Sequence, residues 1–133
     1  MKHSDYNKYI SYFLFLIGIH SFAVGVGLLF LPPTILDFFG LVNCKESFFQ
    51  AQGGVFHIAM SVAYAMAGLK VTKSIRLIQF IITVKFIAFV FLIVYFYFVL
   101  AAWLILLSGI GDGLIGLILF ILYQCSELKT EGD

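Results

Sequence analysis

Residues 9–31, 49–69, 75–100 and 103–124 form four long, nearly uninterrupted apolar stretches, and little of the chain lies between them. A helix rises about 1.5 Å per residue, so about 20 apolar residues match the ~30 Å hydrocarbon core of a bilayer. Composition agrees: 62% of the 133 residues are hydrophobic and 11% are charged, against about 25% charged in a soluble domain. The 8 basic and 7 acidic side chains are too few to cover a soluble core of this size. The expectation is one all-α integral membrane domain, residues 1–133, in which four spans form an up-and-down four-helix bundle. A net charge of +1 gives no electrostatic footprint for nucleic acid, and two cysteines cannot frame a secreted scaffold.

Pro32 and Pro33 end the first stretch, because proline cannot continue a helix ladder. That stretch is about twice too long for the apolar region of a signal peptide and lacks a small-x-small cleavage site, so it reads as a retained span. Cytoplasmic loops carry the excess of Lys and Arg. Lys2, Lys8, Lys70, Lys73, Arg76 and Lys129 all fall on one side, whereas the other has Lys45 with Asp37 and Glu46. Both termini are therefore expected in the cytoplasm. Tyr6, Tyr9, Tyr12 and Tyr123 would form the aromatic belt at that interface, and Tyr95, Tyr97 and Trp103 the belt at the other.

Residues 32–48 are too polar to span and too apolar to float free in water. Pro33 and Thr34 can start a short helix with Ile35, Leu36, Phe38 and Phe39 on one face and Gly40 at its end, lying in the outer interface. Residues 126–133 make a short charged tail, expected to be mobile. Cys44 and Cys125 fall at opposite ends of the spans and cannot bond within one chain. They are either free thiols or, for Cys44, a link to another chain.

Lipid tails are as apolar as Leu, so helices in a bilayer associate through close backbone approach and polar contacts. Gly18, Ser21 and Gly25 mark such a face on the first span, Gly54, Ser61, Ala65 and Gly68 on the second, and Gly109, Gly113 and Gly116 on the fourth. The third has few small residues and many Phe, which suits lipid or a protein interface.

Four ionisable residues lie inside the stretches, one on each: His20, His57, Lys85 and Asp112. Counted from the ends at about 1.5 Å per residue, His20, Lys85 and Asp112 fall near the midplane and His57 about one turn nearer the outer face. A lone Lys or Asp at that depth costs about 2.5–3.5 kcal/mol, so Lys85 and Asp112 should face inward and pair. The pair either fixes helix register or belongs to a ligand or proton site. On the third span Gln79 and Thr83 share one face while Lys85 points about 200° away from Thr83, so the side that looks inward stays open. His20 and His57 either hydrogen-bond neighbouring helices or ligate a haem iron from both sides. Gln50 and Gln52 open the second span beside Gly53 and Gly54, either as capping and packing residues or as contacts to a polar head group. Tyr64 completes the candidate set.

The run Gly25-Val26-Gly27-Leu28-Leu29-Phe30-Leu31-Pro32, followed by Phe39-Gly40-Leu41, resembles the first helix and loop of small bacterial four-helix membrane proteins of the DoxX-like kind, and so does Ala51-Gln52-Gly53-Gly54. Families of unknown function related to them look similar across nearly the whole chain. Many relatives carry an arginine where this chain has Gln50 or Gln52. The resemblance implies a four-helix fold in a bacterial cytoplasmic membrane. Some DoxX-like proteins are accessory subunits of quinone-linked oxidoreductases; the resemblance carries no catalytic residues over.

No metal motif, nucleotide loop or nucleophile-base pair stands on a water-facing segment. The expected function is therefore non-catalytic: an accessory subunit, or a binder of a lipid-like small molecule, surrounded by membrane lipid and assembled as a homo-oligomer or within a larger membrane complex. The alternative is a redox or proton-handling component, haem- or quinone-linked, that uses His20, His57, Lys85 and Asp112. A channel or transporter is a third reading, for which 133 residues leave little room unless several copies assemble.

Overall fold

The computed structural model describes residues 3–40, 47–126 and 128. These residues are helical nearly throughout, as the four apolar stretches require. The elements are α1 (His3–Phe30), α2 (Pro33–Phe38), α3 (Ser47–Leu69), a 3-10 turn (Val71–Lys73), α4 (Ile75–Phe98) and α5 (Trp103–Cys125). α1 stops at Phe30 because Pro32 has no N–H to give and disfavours a helical conformation in Leu31 before it. After α2 the chain turns at Gly40, whose φ of 83° suits glycine alone among common residues, since a Cβ would strain it.

α1, α4 and α5 include segments long and apolar enough to cross a membrane: Asp5–Phe30, Ile75–Phe98 and Trp103–Cys125. The expectation of four such stretches meets a difference at α3. It has 23 residues, but Gln50, Gln52, His57 and Ser61 dilute its apolar character. The Gln50 side chain and the His57 ring are bonded to α1 instead of facing lipid. The outer surface suits lipid: Phe30, Tyr12 and Phe98 are 71–83% exposed.

α1 packs along α3 and α4 along α5, and α1 also meets α5. Both main pairs are antiparallel. As α1 advances from Ser11 through Gly18 and Ser21 to Gly25, its partners on α3 retreat from Gly68 through Ser61 and His57 to Gly54. As α4 advances from Gln79 through Lys85 and Phe89 to Leu92, its partners on α5 retreat from Tyr123 through Gly116 and Gly113 to Gly109. The small residues thus mark the contacts, and the Phe-rich α4 supplies the bulk that fills the glycine notches of α5.

One core lies toward the end of the fold that carries the 3-10 turn. Ile10, Leu14, Ile17, Tyr64, Ala67, Ile78, Ile81 and Leu119 are at most 2% exposed there. Composition alone predicts a free tail, yet Leu128 joins this core and the Ser126 hydroxyl donates to the Tyr123 carbonyl at 2.7 Å. Tyr123 itself departs from the expected belt. It is buried, and its hydroxyl accepts a 2.9 Å hydrogen bond from Gln79 Nε2, which satisfies both groups away from water. Lys2, Cys44, Lys45, Glu46 and Lys129 fall outside the described residues.

Candidate ligand cavity

The opposite half of the molecule is less tightly filled. A cavity of about 410 Å³ lies there, walled by side chains from all four long helices. His20, Ser21, His57, Lys85, Ser108 and Asp112 line its polar part, and Val24, Leu28, Leu92, Leu104 and Leu107 its apolar part. The four ionisable residues found one per stretch therefore gather at one place.

The Lys85 ammonium donates to the Asp112 carboxylate across the α4–α5 seam, forming an ion pair in which Lys85 is buried. A Cβ on Gly116 would lie 3.2 Å from the Cβ of Lys85, so this glycine lets α5 come close enough for the pair to form. The ammonium also stands over the Tyr64 ring, 5.6 Å from its centroid, within the range of a cation–π contact. Tyr64, which is not part of the cavity lining, thus supports the pair from α3. Two charges of opposite sign cancel at this point, and the neighbouring aromatic face adds to what holds the cation.

Lys85 settles which side of α4 faces inward. Gln79 and Thr83 share a face by spacing, but they end differently. Gln79 reaches across to Tyr123, whereas exposed Thr83 turns its hydroxyl back to the Gln79 carbonyl at 2.9 Å. That back-bond satisfies a polar group on an outward face without a partner helix.

Ser21 fixes His57. Its hydroxyl donates to the His57 carbonyl at 3.0 Å and lies 3.2 Å from Nδ1 of the ring, so α1 holds both the backbone and the imidazole of α3. His20, the preceding residue on α1, is exposed along one edge of the cavity. Gln50 and Gln52 are not among the lining residues. Gln50 Nε2 donates to the Leu28 carbonyl at 2.7 Å and so ties the start of α3 to the end of α1; Gln52 is exposed. Among the described residues, no group of three or more His, Cys, Asp or Glu side chains could hold a metal ion.

Ser108 and the leucines of the lining do not stand out in the sequence. A signal for Ser108 exists, since it precedes Asp112 by four residues and so shares its helix face. Gly111 is a further addition. It lines the cavity, and a Cβ built on it meets nothing within 4 Å.

No family model, curated protein or solved structure matches the chain.

Proposed function

We propose that the chain is a small, non-catalytic, multi-pass membrane protein whose cavity binds an amphiphile with an uncharged, hydrogen-bonding head. In this reading the four long helices form a bundle in a bacterial cytoplasmic membrane, both termini are cytoplasmic, and α2 lies in the outer interface. α3 spans with the others because two of its polar side chains, Gln50 and His57, are held by α1 rather than turned to lipid. The chain then acts as an accessory subunit or a carrier of its ligand, alone, as a homo-oligomer or within a larger complex.

The observation that supports this reading is the two-part lining of the cavity. Polar groups cluster near the Lys85–Asp112 pair and leucines extend from them, the pattern of a small-molecule site of ordinary volume. The pair is already neutral, so a charged head beside it would leave a net charge at mid-membrane, at a cost of about 2.5–3.5 kcal/mol. A neutral head can accept or donate hydrogen bonds there without that cost.

The test is a native mass spectrum of the protein released from mild detergent. An amphiphile adduct is expected on the wild type and is expected to disappear from Gly111→Leu, whose side chain grows into open cavity space. A wild type without adduct, or an adduct kept by a folded Gly111→Leu, would refute the reading.

The meeting of His20, His57, Lys85 and Asp112 around one cavity also favours a second reading, a proton-handling or redox component. It requires that ligand association or proton uptake depend on pH in the wild type and not in Asp112→Asn. A Soret band in the purified protein would extend this reading to haem held by the two histidines.

A further inference from the structure

From the way the cavity is bounded, we infer that its ligand enters sideways from the lipid, through the seam between α1 and α5, and not from water at either end. The inference rests on the amphiphile reading of the cavity and adds the route by which that site fills.

The end that carries the 3-10 turn is closed by packing. Leu14 and Ile17 of α1 and Leu119 of α5 belong to one buried cluster there, each at most 2% exposed. The other end is bridged by the turn after α2. Trp103, the first residue of α5, donates from Nε1 to the Phe38 carbonyl at 3.3 Å, and its ring lies 5.2 Å from that of Phe39. A Cβ on Gly40 would lie 3.3 Å from the Cβ of Ala102, so this turn sits directly on the start of α5. Between the packed end and the bridged end the α1–α5 seam is different. His20 on α1 and Leu107 and Ser108 on α5 line the cavity and are also exposed. Side chains that belong to both surfaces mark a mouth.

The mouth opens on the flank of the helices. His20 and Leu28 on α1, like Leu104 and Asp112 on α5, stand eight residues apart, about 12 Å along a helix. A slot of that height is shorter than the ~30 Å hydrocarbon core, so helices that span the membrane would present it to lipid. An amphiphile can therefore slide from the bilayer with its apolar part against the leucines and its head toward Lys85 and Asp112, without crossing water.

The test uses spin labels in a Cys44→Ser, Cys125→Ser background, reconstituted in lipid vesicles. A label at Gly111→Cys sits in the cavity, one at Leu117→Cys on an exposed face of α5 and one at Leu119→Cys in the core. Collision rates with oxygen, which concentrates in lipid, and with a water-soluble nickel chelate are compared. The Gly111→Cys label is expected to match Leu117→Cys, with frequent oxygen collisions and few with nickel. Frequent nickel collisions would mean entry from water, and a match to Leu119→Cys would mean a sealed cavity; either overturns the lateral route. Val24→Cys, a half-buried position in the cavity lining, repeats the measurement in case a label at position 111 prevents folding. Because these collisions need no bound ligand, a failed route with an adduct still lost in Gly111→Leu would leave the amphiphile site standing and move only its entrance.

Discussion

Gly25 and Gly54 bring the backbones of α1 and α3 into direct contact: a Cβ on Gly25 would fall 2.7 Å from the Gly54 carbonyl oxygen, and one on Gly54 2.8 Å from that of Gly25. Neither obstacle is a flexible side chain, so relief requires that the helices separate. This contact sets the distance at which Ser21 reaches His57, about one helical turn further along the pair.

Gly25→Ala and Gly54→Ala are each expected to destabilise the protein by about 1–3 kcal/mol, the usual cost of forcing atoms into a packed contact. Gly53→Ala is the control, since its nearest neighbour is a Leu28 methyl at an ordinary 3.8 Å. Thermal unfolding in detergent, followed by circular dichroism, checks the ranking. Equal midpoints for Gly54→Ala and Gly53→Ala would contradict the close approach.

The Lys85–Asp112 pair makes a different demand. Lys85→Met leaves an aspartate without its cation, and Asp112→Leu leaves a buried lysine without its anion. Each single variant is expected to lose about 2.5–3.5 kcal/mol, the penalty for an unpaired charge inside a membrane-spanning helix. The double variant should recover more than half of that loss, because removing both charges also removes the desolvation cost. A double-mutant cycle on unfolding midpoints measures this, and strictly additive losses would show that the two side chains do not depend on each other.

Much of this pairing is legible in the sequence. Rarity exposes it: a chain with so few charges that still places Lys85 and Asp112 inside apolar stretches needs them to meet. The glycine and serine faces of α1, α3 and α5 are readable for a related reason, since small residues are what allow close helix approach in lipid. The cavity is not readable. A void is set by where helices diverge, and its leucines look like any others in a sequence rich in them. Tyr123 misleads because an aromatic near a helix end marks an interface only when no partner is near, and Gln79 lies far away in sequence. Leu128 is hidden by its charged neighbours, which set the character of residues 126–133 by composition.

Two serines bind α1 to α3 through backbone carbonyls, Ser11 to Gly68 at 2.6 Å and Ser21 to His57 at 3.0 Å. Hydrogen bonds between membrane helices average about 0.6 kcal/mol and reach about 1.7. Ser11→Ala and Ser21→Ala should each cost an amount in that range, and the double variant close to their sum, since the sites are ten residues and about 15 Å apart along α1. Only Ser21→Ala is expected to change amphiphile retention, because Ser21 alone of the two lines the cavity. Native mass spectra of both variants provide the check; a matching loss of adduct in Ser11→Ala would trace the effect to general loosening of the helix pair.

Trp103 is the single tryptophan of the chain, so its fluorescence reports on the contact between the α2 turn and α5 without interference. Its ring meets Phe38 edge-on at 6.3 Å and Phe39 at 5.2 Å, while Nε1 holds the Phe38 carbonyl. Such aromatic contacts are worth about 0.5–1.5 kcal/mol beyond the area they bury. Phe39→Ala removes the nearer ring and leaves the backbone acceptor in place. Its expected effect is a shift of Trp103 emission to longer wavelength and easier quenching by a water-soluble quencher, with the unfolding midpoint changed little, because the main core lies at the other end of the helices. Phe98→Ala, an exposed change at the end of α4, should leave the emission unaltered. If Phe39→Ala also left it unaltered, the α2 turn would not be seated on α5, and the closure of the cavity at that end would have to be sought elsewhere.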